Sequence, residues 1–202
     1  IIDVDGAANF AADVTFADGA DIITASAGTS NFRAGVNAGN SISSGGNYNV
    51  VVGDEAGTVL TTGDNNVAVG YSALGANTAS NNTAVGKGAL RLNIGGTPNV
   101  AVGYVALEAN TTGQENTAIG PYAMYANTTS SRNVAIGYAA LDAQTTGSGY
   151  NTAVGNNAMT ANTDGHSNTA VGANALDANT TGDANVAVGY LALTAATTGD
   201  FN

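Results

Sequence analysis

The sequence contains no cysteine and no tryptophan, and it has only two prolines and little charge. Without cysteine, neither a disulfide framework nor a thiolate metal site can form, so stability must come from packing and hydrogen bonding. Only 9% of the 202 residues are charged, whereas about 25% is typical of a soluble domain. This composition differs from that of an ordinary globular protein.

Basic residues are particularly scarce. Fifteen acidic residues accompany four basic ones, and the formal net charge is -11. Because this charge repels a phosphate backbone, the sequence disfavours nucleic-acid binding. No apolar run approaches the roughly 18 residues of a membrane span, so we expect no membrane insertion. The opening residues Ile1–Asp3 do not resemble a signal peptide, and we expect the chain to begin within a longer protein.

The dominant feature of the sequence is an internal repeat. The pattern N-[VT]-A-[VI]-G recurs with its asparagine at positions 66, 82, 99, 116, 133, 151, 168 and 185. Two looser copies start at Asn31 and Asn49, which makes ten units of 16 to 18 residues. Such a period is typical of solenoids. We therefore predict a connector or cap with short strands over residues 1–30 and a solenoid over residues 31–202.

Positions in the unit are counted from this asparagine as position zero. Position four is glycine and position seven is alanine in all ten units, and position eight is leucine or methionine from Asn66 onward. Each unit has two apolar runs that are too short for stable helices. Val or Ile alternates with Ala in the first run, as in a strand. The sequence predicts an all-β fold, a parallel β-solenoid of about ten coils.

Each recurring position is assigned a structural role. Glycine at position four predicts a sharp corner with a positive φ or a close backbone approach. Asparagines at position zero and near position eleven are expected to hydrogen-bond along the stack. Positions three and eight are expected to face inward. The predicted ladder residues are Asn66, Asn99, Asn133, Asn168, Gly70, Gly103, Gly137, Gly172, Val102, Leu107, Leu141 and Leu176.

The apolar core offered by one coil is thin. Alanines at positions two, seven and ten form further ladders of small residues, which suit the close approach of another surface. We therefore expect these alanines to face neighbouring chains in a closed homo-oligomer. The repeat by itself leaves the number of subunits open.

The repeat resembles two families of extracellular proteins. Asn66–Gly70, Asn99–Gly103 and Asn133–Gly137 resemble the head repeats of trimeric autotransporter adhesins, although this unit is longer. The ALxANTTG half is similar to repeats in bacteriophage tail fibres, and residues 13–24 look like the connector that precedes them. The resemblance covers residues 31–202. It implies a homotrimeric β-roll, a host or cell-surface receptor such as a glycan, and an extracellular location on a virion tail fibre or a bacterial surface.

The sequence carries no catalytic pattern. His166 is the one histidine and lies in a polar turn, without a second histidine or a cysteine to complete a catalytic or metal site. No nucleophile elbow, phosphate-binding loop or dinucleotide fingerprint occurs. Asp3 and Asp5 resemble a fragment of a calcium loop, but the later ligands and the terminal glutamate are missing. We predict neither an enzyme nor a cofactor or metal site.

Two surface ladders are candidates for binding. Tyrosines recur at position five, just beyond the corner glycine, where exposed rings can bind glycans or simply pack over the turn. These are Tyr71, Tyr104, Tyr138 and Tyr190. Threonine pairs such as Thr111 and Thr112 resemble ice-binding arrays, but flanking asparagine and glycine indicate a turn.

The sequence therefore favours a structural and adhesive segment of an extracellular trimeric fibre, foremost the shaft of a phage tail fibre that presents a receptor-binding tip. A bacterial adhesin head, a filament subunit without its own receptor and an ice-binding solenoid are the alternatives.

Overall fold

A computed structural model describes residues 28–147 and 149–202. Residues 1–27, which include Asp3, Asp5 and most of the connector predicted over residues 1–30, lie outside the described residues. Ten strands of three residues, β1 to β10, follow one another at one strand per repeat unit. They are Phe32–Ala34, Val50–Val52, Val67–Val69, Thr83–Val85, Val100–Val102, Thr117–Ile119, Val134–Ile136, Thr152–Val154, Thr169–Val171 and Val186–Val188.

The ten strands form one parallel sheet in sequence order. Equivalent positions pair directly, so that Ala84 of β4 lies opposite Ala68 of β3 and Ala101 of β5. Each unit thus winds once and returns one strand spacing further along, which gives about nine full turns. No helix occurs in the described part of the chain. The predicted all-β parallel solenoid is confirmed.

The half of each coil that follows the strand is a chain of tight turns. In the third unit, the carbonyl of Gly70 accepts from the amide of Ala73 and the carbonyl of Ser72 accepts from Gly75, at 3.2 Å each. Ser72 and Leu74 have positive φ values of 54° and 51°. The amide of Leu74 also donates to the carbonyl of Ala89 in the next coil at 3.1 Å. Backbone hydrogen bonds therefore join the coils in the turns as well as in the sheet.

The core runs along the inside of the coils. Its recurring members are the alanines of positions two and seven and the Leu or Met of position eight. Those without exposed surface include Ala68, Ala73, Leu74, Ala101, Ala106, Leu107, Met124, Leu141, Met159 and Leu176. Leu107 and Leu176 thus lie where the sequence placed them.

The prediction that position three faces inward is wrong. Val102 is only half-buried, and its equivalents Ile119 and Ile136 are 39% and 37% exposed, whereas Ala101 is fully buried. Because strand residues alternate between faces, positions one and three point outward and position two points inward. The alanines of positions two and seven consequently fill the core and do not face neighbouring chains.

The available core volume explains this register. In most units a small alanine at position two faces a large Leu or Met at position eight. The unit that starts at Asn49 has Val51 at position two, Gly57 at position eight and Leu60 at position eleven, and Val51 and Leu60 are fully buried. A Cβ atom on Gly57 would lie 3.3 Å from Cγ1 of Val51. A larger residue at position two is therefore accompanied by a smaller one at position eight.

Candidate functional site

The asparagines of position zero form a continuous hydrogen-bonded ladder. Oδ1 of Asn99 accepts from the backbone amide of Asn116 at 2.9 Å, and its Nδ2 donates to the carbonyl of Gly113 at 2.8 Å. The same amide-to-Oδ1 bond joins each successive pair from Asn31 to Asn202. Asn66, Asn133 and Asn168 belong to this ladder and are fully buried. The ladder satisfies buried polar groups, which is a structural role.

A second asparagine ladder follows position eleven and has one interruption. Nδ2 of Asn110 donates to Oδ1 of Asn93, and Nδ2 of Asn127 donates to Oδ1 of Asn110, at 2.7 and 2.9 Å. The next unit has Gln144 there, whose Nε2 donates to Oγ of Ser130 at 3.0 Å. Oδ1 of Asn127 is buried without a hydrogen-bond partner as a result. A similar bond joins Asn179 to Asn162.

The corner glycines meet both conditions that the sequence suggested. Gly70, Gly103, Gly137 and Gly172 have φ values of 127°, 139°, 136° and 134°. A Cβ atom on Gly103 would lie 2.6 Å from the carbonyl carbon and oxygen of Gly120 in the next coil. These glycines allow the coils to stack at the corner.

The outer face of the sheet is uncharged and largely apolar. Positions one and three of β2 to β10 are valine, isoleucine or threonine in every strand. Nine strands of three residues cover roughly 400 Å² in projection. The largest apolar patch of a monomeric protein is about 300–600 Å² and is often functional. We name this surface the outer sheet face. In the sequence, this face is indicated by the absence of charged residues from positions one and three.

The row of tyrosines at position five is partly clustered. Tyr71, Tyr104 and Tyr138 are 53%, 44% and 49% exposed. Tyr122 bridges two of them, with its ring centroid 5.4 Å from that of Tyr104 and 5.7 Å from that of Tyr138. Tyr190 lies three units beyond Tyr138 and contacts no other ring among the described residues.

Beside this cluster lies a groove of about 410 Å³, which we name the tyrosine groove. Its walls are Tyr71, Lys87, Tyr104, Tyr122 and Tyr125. Arg91 and Glu108 also line it and form an ion pair with each other. Desolvation raises the pKa of Tyr122, and neighbouring Tyr104 and Tyr138 raise it further.

Sequence reasoning missed most residues of this groove. Lys87 occupies position five of its unit, as Tyr71 and Tyr104 do, so an alignment of the units could have predicted that it lies between them. Tyr122 was hidden because Pro121 occupies position five of its unit and Tyr122 occupies position six. Tyr125 and Arg91 both occupy position nine, where the units have no common residue type.

The other candidates from the sequence lie apart from this groove. Nε2 of His166 is 3.1 Å from Oδ2 of Asp183. The threonine pairs lie in turns, where Oγ1 of Thr111 donates to the backbone carbonyl of Thr128 at 3.0 Å. Within residues 28–147 and 149–202, no group of three histidine, aspartate or glutamate side chains could hold a metal ion, and no helix could span a membrane.

The fold and its ladders define the chain as a repeat protein of the parallel β-solenoid class. Comparison with family models, curated proteins and solved structures finds no match. The class of the protein therefore rests on its own architecture.

Proposed function

We propose that this chain is a structural and adhesive segment of an extracellular homotrimeric fibre, foremost a phage tail-fibre shaft that presents a receptor-binding tip. The observation that carries the proposal is the outer sheet face. It is an uncharged surface of valine, isoleucine and threonine side chains along nine strands, and burying its apolar area against another chain is favourable by about 25 cal/mol per Å².

A second copy of the same chain fits this face in both charge and spacing. The chain carries a net charge of -11, but the outer sheet face carries none, so two copies can approach there with little repulsion. Every copy also repeats its side chains at the same interval of about 4.8 Å. The ridges of one copy can therefore fit between those of the next along the whole length.

The number of subunits and the fibre role are supported by resemblance. Asn66–Gly70 and its equivalents resemble repeats of trimeric adhesin heads, and the second half of the unit is similar to repeats in phage fibres. The asparagine ladders add a physical reason for a shaft. Hydrogen bonds between side chains in successive coils resist bending and hold a tip at a fixed distance.

Light scattering after size-exclusion chromatography tests this proposal. We expect a mass three times that of the 19.7 kDa chain. The double variant Ile119→Glu/Ile136→Glu places charge on the outer sheet face and is expected to give monomers. Ile94→Glu is the matched control, because Ile94 is 55% exposed and lies outside the strands. A monomeric wild type contradicts the proposal. A double variant that remains trimeric shows that the subunits do not associate through the outer sheet face.

Ice binding is a second candidate that one observation favours. β4, β6, β8 and β9 place threonine at position one of the outer sheet face, beside Val or Ile at position three. Methyl and hydroxyl groups on a strand face suit ice better than the threonine pairs in the turns. Thermal hysteresis in the wild type, lost in Thr117→Lys, supports this alternative. Absence of hysteresis eliminates it.

A further inference from the structure

We infer that the tyrosine groove binds an acidic saccharide, with a sugar carboxylate on Lys87 and sugar rings against the tyrosines. This inference goes beyond the fibre role. The tyrosine groove lies on the turn side of the corner glycines, whereas subunit contact is proposed for the outer sheet face. The groove can therefore act in a monomer or in a trimer.

Two of the aromatic walls, Tyr104 and Tyr125, are held by ring contacts with Tyr122 before any ligand arrives. Tyr71 and Tyr104 occupy the same position two coils apart, which corresponds to roughly 9.6 Å. Tyr122 contacts Tyr104 and Tyr125 edge to face, with centroids 5.4 and 5.9 Å apart. Tyr71, Tyr104 and Tyr125 nevertheless keep 53%, 44% and 41% of their surface exposed. Rigid rings with exposed faces can stack on the C–H faces of sugars at little entropic cost.

The tyrosine groove holds one cation without an acidic partner. Nζ of Lys87 lies 5.8 Å from the ring centroids of both Tyr71 and Tyr104. In the part of the chain that the structure describes, no carboxylate forms an ion pair with Lys87. Arg91 is neutralised, because its Nε lies 2.5 Å from Oε1 of Glu108. The ammonium group of Lys87 is thus available to an anionic ligand, on a chain that is otherwise acidic.

Size and charge favour a saccharide over other anions. The volume of about 410 Å³ falls in the range of about 300–1,000 Å³ of small-ligand sites. A nucleic acid would set a row of phosphates against a single unpaired lysine, whereas a sugar with one carboxylate matches that lysine in charge. The floor is formed by Gly88, which has no side chain, and by Val105, which is 8% exposed. This depression between tyrosines accommodates a sugar ring that carries one carboxylate.

Binding is measured by tyrosine fluorescence, which suits a chain without tryptophan. The probes are oligosaccharides of galacturonic, glucuronic and sialic acid, each with its methyl ester as the neutral counterpart. We expect at least one acid to bind with a Kd near or below about 1 mM and at least ten times more tightly than its ester. Lys87→Met is expected to abolish this preference while keeping ester binding. Tyr104→Ala is expected to weaken both acid and ester at least tenfold.

Tyr190→Ala is the matched control, since Tyr190 occupies the same repeat position outside the tyrosine groove and is 73% exposed. It is expected to leave binding unchanged. The inference is overturned if no probe binds at about 1 mM, if Tyr190→Ala weakens binding as much as Tyr104→Ala, or if an acidic peptide binds and the sugars do not. Light scattering on the same variants distinguishes this inference from the fibre proposal. Trimers that bind no sugar would overturn the saccharide inference and leave the fibre proposal standing.

Discussion

At the scale of the residue, the fold depends on backbone conformations that most side chains avoid. The corner glycines have φ values above 120°, and Leu or Met at position eight has φ near 50°, as in Leu107 at 53°. A left-handed conformation costs a residue other than glycine about 1–2 kcal/mol. Full burial of Leu107 offsets that cost, together with two hydrogen bonds. Its amide donates to the carbonyl of Ala123 at 2.9 Å, and its carbonyl accepts from the amide of Asn110 at 3.3 Å. The glycine corner could be predicted from the sequence, whereas the left-handed leucine could not, because leucine seldom indicates a turn.

Gly103→Ala tests the corner. It adds a Cβ atom 2.6 Å from backbone atoms of Gly120, which cannot move without breaking the stack. Backbone strain of about 1–3 kcal/mol adds to this clash, so we expect a loss of about 3 kcal/mol or more. At about 2–4 °C per kcal/mol, the melting temperature followed by circular dichroism should fall by roughly 6–12 °C.

Gly88→Ala is the matched control for this substitution. Gly88 has a φ of 70°, and its Cβ atom would lie 3.2 Å from a side-chain methyl group of Val105. Ala139 occupies the same position in another unit with a φ of 49°. We expect a cost of about 1–2 kcal/mol. Equal losses for Gly103→Ala and Gly88→Ala would contradict the importance of the close approach at the corner.

At the scale of the element, one coil places a three-residue strand opposite a run of turns. The repeat length, the strand position and the stacking of like residues could all be predicted, because they follow from a period that the sequence displays. The direction in which each strand residue faces could not. Val and Ala are both apolar, and a shift of one residue exchanges the two faces completely.

The register is tested by introducing valine separately at two adjacent positions of β6. Ala118 is fully buried in the core cluster that also contains Met124, so Ala118→Val overpacks the core. We expect a loss of about 1–3 kcal/mol. Thr117 lies at position one on the outer sheet face, where five other units carry valine. Thr117→Val should therefore change stability by less than about 0.5 kcal/mol. Chemical denaturation measures both variants, and a larger loss for Thr117→Val would reverse the assignment of the two faces.

At the scale of the whole molecule, ladders of identical residues make the chain a stack in which each coil contacts only its neighbours. Such stacks are stabilised by interfaces between repeats and need covered ends. The first described strand departs from the pattern of the core. Arg33 occupies position two of its unit, where its Nε donates to the carbonyl of Ala38 at 2.7 Å.

Trimer formation through the outer sheet face predicts a melting temperature that depends on concentration. Association stabilises the folded chain by mass action, so the melting temperature should rise as the protein concentration is raised. Calorimetry over a hundredfold range of concentration measures this shift. The shift should disappear in Ile119→Glu/Ile136→Glu and persist in Ile94→Glu. A wild-type melting temperature that is independent of concentration would contradict reversible assembly.

The sequence by itself determined the period, the parallel stacking and the glycine corners, because these depend on local geometry that recurs in every unit. The tertiary structure decided two further features. Core volume selected Ala over Val as the inward residue, since only alanine at position two leaves room for the Leu or Met of position eight. Stacking also brought together Tyr71, Lys87 and Tyr104 from three successive coils, residues that are 16 and 17 positions apart along the chain. The tyrosine groove exists only once the coils are stacked, because no single unit contains its walls.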